Sequence, residues 1–387
     1  MSLSSESGTG FIPLVMTNLR SMIPVFLAFA LGAGCDSHPG GTTTARSTPE
    51  PEESRYLADL KFIAQAPRVG GSEQHAAVQK LCAARLAKLG YQVEWQRYGN
   101  GTNIIGRIPG RAHPEELVIV SAHYDTVPRS NGADDNGSGV AGLLETARLL
   151  AGKKHARTLV VAFWDGEEIG LLGSRAFARR AKESKAEIAG VYVYEMIGYR
   201  REEPGSQKVP VGFELLFPEA FTKLQENQFR ANFIALVCDP RARRLASDIV
   251  DSAEQAGQPA VLLDVHPDRF VPPDLMRSDH AGFWEEGFPA IMITDTAEFR
   301  NPNYHSLKGQ DTIETVNSEF TLKVIAAVLA SARRSLAAVE PSCDLQSPHE
   351  SQVFAGNRAD VEKAKLCGRT LIKGHTITGT VAGRFAR

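Results

Sequence analysis

The sequence predicts an α/β fold of three layers (αβα), with helices on both faces of a central mixed, mostly parallel sheet. LVIVSA (117–122) and TLVVAFW (158–164) are unbroken apolar runs of strand length, the pattern of strands covered on both sides. Between them Val140, Leu143, Leu144 and Ala147 recur at helical spacing, so the three segments form a right-handed βαβ unit. The same alternation of strand-like and helix-like segments continues over residues 53–340, which read as one domain.

Along the chain, residues 22–34 (MIPVFLAFALGAG) are apolar but shorter than the about 20 residues a membrane-spanning helix needs. Arg20 precedes them and small residues with Cys35 close them, as in an export signal. LGAGC resembles a bacterial lipoprotein signal with Cys35 as the lipidated residue, although Leu31 stands four positions before the cysteine rather than three. A plain signal cut near Ala33 is the alternative, and Met16 offers a second start with a more usual signal length. The expectation is an exported bacterial protein, periplasmic or at the cell surface, tied to the membrane only through that lipid. Residues 36–52 are rich in Ser, Thr, Pro and Gly and suit a flexible linker.

Leu57, Leu60 and Ala64 mark a first helix, and Val78, Leu81, Cys82 and Leu89 a second that Gly90 ends. YQVEWQRY and TNIIGRI alternate as a hairpin pair. Further strands are expected at 189–194, 231–237, 260–265 and 289–294, and helices at 240–256 and 317–338. Residues 341–387 lack large apolar clusters and read as an irregular tail that a Cys343–Cys367 bridge could clip. Cys82 falls on an apolar stripe, Phe163 and Trp164 read as core, Ser174 as a helix cap, and 200–210 as a solvated loop that could border a cleft.

The formal charge of −2, from 43 basic and 45 acidic residues, leaves no broad basic face for nucleic acid. Five cysteines without a CxxC pair exclude a disulfide scaffold or a Cys-rich zinc site. Ser138 in GSGVAG lacks the preceding strand of a nucleophile elbow.

Chemistry concentrates at the carboxyl ends of the apolar runs, where ligands bind in open α/β sheets. SAHYDTV places His123 and Asp125 two apart, on one side of an extended chain, so the carboxylate can orient the imidazole. GADDNGSG brings Asp134, Asp135 and Asn136 to the start of the next helix. FWDGEEIGLLGS crowds Asp165, Glu167 and Glu168 at one strand end, where they repel unless a cation neutralises them. VYVYEMIGY ends on Glu195, and RNPNYHSLKGQDT supplies His305, with His280 of RSDHAGFW as a competing imidazole.

Together with APRVGGS, these motifs resemble the co-catalytic zinc aminopeptidase family, which includes leucyl-type aminopeptidases, glutamate carboxypeptidase II and, more distantly, glutaminyl cyclases. The resemblance implies a zinc-exopeptidase fold with His123 and Glu195 on one ion, Glu168 and His305 on the other, and Asp135 between both. It further implies Glu167 as general base, Asp125 as orienter of His123, Tyr304 as a transition-state hydrogen-bond donor, and a cis peptide bond after Asp135. The family more often has Asp where Glu195 stands. Two Zn2+ are expected, with Co2+ or Mn2+ able to occupy the same donors. Three ligand carboxylates and one bridging hydroxide balance two divalent ions, and peptides are the expected partners. A glutaminyl cyclase, or a non-catalytic binding module on the same fold, are the alternatives.

Overall fold

A computed structural model describes residues 50–266 and 271–337. The signal segment, most of the linker and the tail with Cys343 and Cys367 lie outside the described residues. Two helices lead, α1 (Glu53–Ile63) and α2 (Glu73–Lys88), the second capped by Ser72, whose side chain accepts the amide of His75. Strands β1 (Gln92–Tyr98) and β2 (Gly101–Ile108) form the expected hairpin. β3 (His113–His123), α3 (Gly139–Leu150) and β4 (Arg157–Trp164) follow, and β3 and β4 pair in parallel. The chain continues through α4 (Leu172–Glu183), β5 (Glu187–Glu195), α5 (Phe213–Leu216), α6 (Pro218–Glu226), β6 (Ile234–Cys238) and α7 (Arg243–Gln255). It closes with β7 (Ala260–Asp264), α8 (His280–Glu285), β8 (Ala290–Thr294) and α9 (Ser318–Leu336). No helix among the described residues is long and apolar enough to cross a membrane.

The eight strands form one sheet in the order β1-β2-β4-β3-β5-β8-β6-β7. Pairing is parallel through the centre and antiparallel at β1–β2, β2–β4 and β6–β8. Alternation along each strand divides the core. Val118, Val120, Leu159 and Val161 face α1, α2, α3 and α9, whereas Ile119, Val160 and Trp164 face α4 and α8. A smaller apolar cluster packs α5 and α6 onto β6 and β7. This is the three-layer arrangement the apolar runs predict, and Cys82, Phe163 and Trp164 are buried in it as expected.

Three boundaries differ from expectation. The helix expected from 240 begins at Arg243, because Asp239 accepts the amides of Arg241 and Ala242 and holds those residues in a turn. The strand expected from 231 begins at Ile234, because Ala231 and Phe233 give their carbonyls to Arg201 and Arg300 instead of the sheet. Ser174 is no cap: it lies inside α4 and its hydroxyl donates back to the Leu171 carbonyl.

Candidate metal centre

β3 and β5 are neighbours in parallel register, with Ser121 opposite Val193. Two residues further on, His123 and Glu195 end their strands side by side at the carboxyl edge of the sheet. His123 Nε2 lies 3.5 Å from Glu195 Oε2, 3.5 Å from Asp135 Oδ1 and 3.9 Å from Glu167 Oε2. Its Nδ1 lies 3.5 Å from Asp125 Oδ1. The ring is buried, yet neither nitrogen has a hydrogen-bond partner among the described residues.

Asp135 sits in the segment joining β3 to α3, and its peptide bond to Asn136 is cis. Asn136 stitches this segment to the end of β5, donating to the Tyr194 carbonyl at 2.8 Å and accepting the Met196 amide at 3.1 Å. Ser138 accepts the Ile197 amide and donates to Asp134, a structural task consistent with its not being a nucleophile. Asp311 accepts the amides of Asp134 and Asp135 at 2.9 and 3.0 Å. Beneath the segment, the fully buried Arg68 gives its guanidinium to five backbone carbonyls, those of Ile63, Tyr124, Asn131, Gly132 and Asp135.

After β4 the chain turns, and the two carboxylate oxygens of Asp125 accept the amides of Glu167 and Glu168 at 3.1 and 3.2 Å. Asp125 thus faces His123 and also holds the turn that carries both glutamates. The expected trio of crowded carboxylates is only a pair. Asp165 turns away, with Oδ1 2.8 Å from His75 Nε2 and Oδ2 accepting the Thr102 amide. Asp165 is thus satisfied by hydrogen bonds to His75 and the Thr102 amide, away from the other two carboxylates.

His305 follows β8 in a short left-handed turn (φ 53°). Its Nε2 is 3.1 Å from Glu168 Oε2 and 3.3 Å from Asp135 Oδ2. The Tyr304 ring stacks on it at 3.8 Å, and the Tyr304 oxygen accepts from Arg277 at 2.7 Å. His280 is elsewhere: buried against Trp284, with Nε2 2.8 Å from the Leu275 carbonyl, it packs rather than joins the cluster. The structure therefore gathers His123, Asp135, Glu167, Glu168, Glu195 and His305, with Asp125 and Tyr304 against them.

Sequence reasoning missed the supports. Arg68 lay inside APRVGGS, noted only as part of a pattern. Ser278, whose hydroxyl donates to Glu195 Oε2 at 2.6 Å, lay beside His280 in RSDH. The buried Asp279 next to it has both oxygens without partners among the described residues, and Asp311 had no local signal.

The donors fit metal ions. His123, Glu167 and Glu195 form one group and Asp135, Glu168 and His305 another, each with its ligand atoms within 4.8 Å of one another. A third group, His113, Glu115 and Glu116, lies at the far end of β3, where Glu116 pairs with Arg157. Burial would lower the proton affinity of His123, but Glu167 and Glu195 overrule it and hold the imidazole well above its ordinary pKa. Burial works against His305 as well, yet Asp135 and Glu168 push it up to about 10. Burial, reinforced by Glu195, Asp279 and Glu168 against the pull of His123, raises Glu167 well above the carboxylate range. Asp135 is raised by burial and by Glu168. Protons are thus drawn to places where cations would do the same neutralising work. Imidazole with carboxylate is a zinc donor set, and His123 turns Nε2 toward Asp135 and Glu195 while Nδ1 faces Asp125.

The chain matches the description "Peptidase family M28" over residues 103–332, more than half of its length. It is 34% identical over 227 residues to the uncharacterised YfbL of Escherichia coli K12, covering 55% of this chain and 65% of that protein. It is 31% identical over 236 residues to a probable leucine aminopeptidase of Trichophyton verrucosum, covering 57% and 54% respectively. It thus spans between about half and two thirds of these relatives. In fold it is similar to a zinc aminopeptidase of Bacillus subtilis, with a TM-score of 0.58 at 16% identity over 76% of this chain and 97% of the other. Sequence motifs and family match converge, and the chain belongs to peptidase family M28.

Proposed function

We propose that this protein is an exported aminopeptidase that uses two zinc ions to release the first residue of peptides. One observation carries the reading: Asp135 presents Oδ1 to His123 at 3.5 Å and Oδ2 to His305 at 3.3 Å, so one carboxylate joins two donor groups. His123 and Glu195 would hold one ion, Glu168 and His305 the other, with Asp135 shared. When bound, the zinc pair supplies Lewis acidity that acidifies water and polarises the scissile carbonyl. Glu167 reaches the same space but stands 3.9 Å from His123, further than Glu195 does, and its role is to take a proton and pass it to the leaving amine. Asp125 fixes the His123 ring and the turn bearing Glu167. Arginine can only donate, so the Tyr304 oxygen must accept from Arg277 and its own proton is free for a substrate oxygen. The acidic cluster favours a free α-ammonium over a blocked terminus. The apolar stretch ending at Cys35 supports export with a lipid anchor.

The test is metal analysis of the full chain with hydrolysis of free and N-acetylated peptides. The expected result is about two zincs per chain, cleavage of free N-termini only, and a 10²–10⁴-fold fall in kcat for Glu167→Gln at unchanged zinc content. Cyclisation of glutaminyl peptides without hydrolysis would replace this reading with a cyclotransferase, and unchanged turnover in Glu167→Gln would remove Glu167 from the chemistry.

A further inference from the structure

Beside Glu195 and Tyr304 opens a cavity of about 320 Å³, whose apolar part the mechanism does not use. Its floor is a ladder of directly paired positions. Glu195 lies opposite Thr294, Thr294 opposite Ala235, and Ala235 opposite Val261. A second rung runs from Met292 through Val237 to Leu263, on the same face because alternate residues of a strand share one side. The floor therefore crosses from β5 to β7. With strands roughly 4.8 Å apart, that is a reach of roughly 14 Å from the candidate metal ligand. The floor residues beyond Glu195 on the first rung are small or β-branched, which leaves the space above them open. Phe233 continues the floor just before β6, on the side of Ala235 and Val237, and the facing wall is apolar, with Phe213 and Phe217 at α5 and Leu224 of α6.

Two features separate this space from a packing defect. Protein interiors leave few voids larger than a water molecule, whereas this one is at the size at which pockets begin to hold a whole ligand. And its polar groups are used up among themselves. Gln207 donates to Thr296 and the Lys208 carbonyl and accepts from Arg300, while Thr294 accepts the Thr296 amide. The charged lining residues are Glu195, Lys208, Asp274, Arg277 and Glu298, none of them on the ladder beyond Glu195, and Arg277 pairs with Glu298 while Lys208 donates to the Gly205 carbonyl. A polar side chain entering the deep end would leave its water and find no partner. A leucine side chain, ending two bonds past Cβ, would leave the space over Ala235 and Val261 unfilled.

From this ladder we infer that the centre selects peptides whose first side chain is apolar and longer than leucine, aromatic or extended alkyl, with its tip over Ala235 and Val261. The inference rests on the aminopeptidase reading and deepens it.

The experiment is a kcat/KM series on the zinc-loaded full chain with 4-nitroanilides of alanine, norvaline, leucine, norleucine, 2-aminooctanoic acid, phenylalanine and homophenylalanine. The expected result is a rise of roughly fourfold per added methylene that continues past norleucine to 2-aminooctanoic acid, with homophenylalanine above leucine. Ala235→Phe, or Val261→Met if the first variant misfolds, should lower the ratio of 2-aminooctanoyl to norvaline turnover at least tenfold. A maximum at leucine followed by decline, or an unchanged ratio in a folded variant, overturns the inference while leaving the aminopeptidase intact. If no anilide is cleaved, calorimetric titration of the metal-free protein with linear alkylamines still decides. Affinity growing from butyl to octyl and lost in Ala235→Phe supports the deep pocket, and affinity flat with length overturns it.

Discussion

The two halves of the metal centre are positioned by different means. His123 and Glu195 are the last residues of neighbouring parallel strands, so sheet register alone brings them level. Asp135, Glu168 and His305 stand on three loops and are placed by side chains that seize backbone groups. Arg68 holds the carbonyls around Asp135, Asp311 the amides of Asp134 and Asp135, and Asp125 the turn of Glu168, while beside His305 the Ser306 hydroxyl donates to that of Ser130. The strand half is the cheaper design, because its geometry comes with the fold. The loop half depends on buried polar groups that must all be satisfied at once, and a missing partner costs about 1–3 kcal/mol.

The sharpest way to test this contrast is to delete one imidazole from each half. His123→Ala and His305→Ala should each leave about one tightly held zinc per chain and abolish peptide hydrolysis to background, because the proposed mechanism uses both ions. They should differ in the zinc that remains. His123→Ala should keep the ion of the loop half, and His305→Ala that of the strand half, distinguishable by cobalt substitution and its visible spectrum. Loss of both ions from either variant would show that the halves are not separate units.

Next in size are the supports. Arg68→Lys keeps a cation but has fewer donors and no planar fork, so several of the five carbonyls lose their partner. We expect zinc affinity of the loop half to fall about 10–100-fold, the range typical of groups that orient ligands, with far-UV circular dichroism retained. Ser278→Ala is its mirror. It frees Glu195 Oε2 and should weaken the strand half alone, towards the low end of the same range. Equal weakening of both ions by either variant would contradict the division.

The same division explains what could be read from the sequence. Strand periodicity made β3, β4, β5 and β8 visible, and with them the strand-end placement of His123 and Glu195. No periodicity governs loops, so Asp135, Glu168 and His305 stood out only as clustered donor residues, and their roles came from the resemblance to a family. Asp165 misled, because three carboxylates in four residues suggest a shared cation until the fold brings His75 from α2 against one of them. Arg68 and Asp311 were invisible for a related reason. Apart from the Ile63 carbonyl, their work is done on backbone groups 56 to 177 positions away, and backbone groups carry no signature in a sequence.

The smallest expected effect concerns the imidazole that joins neither half. Burial drives the pKa of His280 down to about 4, although the Leu275 carbonyl and Asp239 pull it upward. Above pH about 6.5 the ring is neutral in folded and unfolded chains alike and contributes no pH dependence. As the pH falls below that value the unfolded chain takes up a proton that the folded chain refuses until about pH 4, so stability drains through this window. The limiting slope is about 1.4 kcal/mol per pH unit, or up to about 2 kcal/mol by pH 5. Buried acids oppose it in the metal-free protein. Burial raises Asp295 to about 6 and Asp279 to about 7, and their protonation favours the folded state as the pH falls. The comparison must therefore be between wild type and His280→Gln, which can still donate to the Leu275 carbonyl. The difference in melting temperature between the two should shift in favour of the variant by a few degrees from pH 7 to pH 5. A constant difference across that range would mean that His280 titrates alike in the folded and unfolded chains, despite its burial against Trp284.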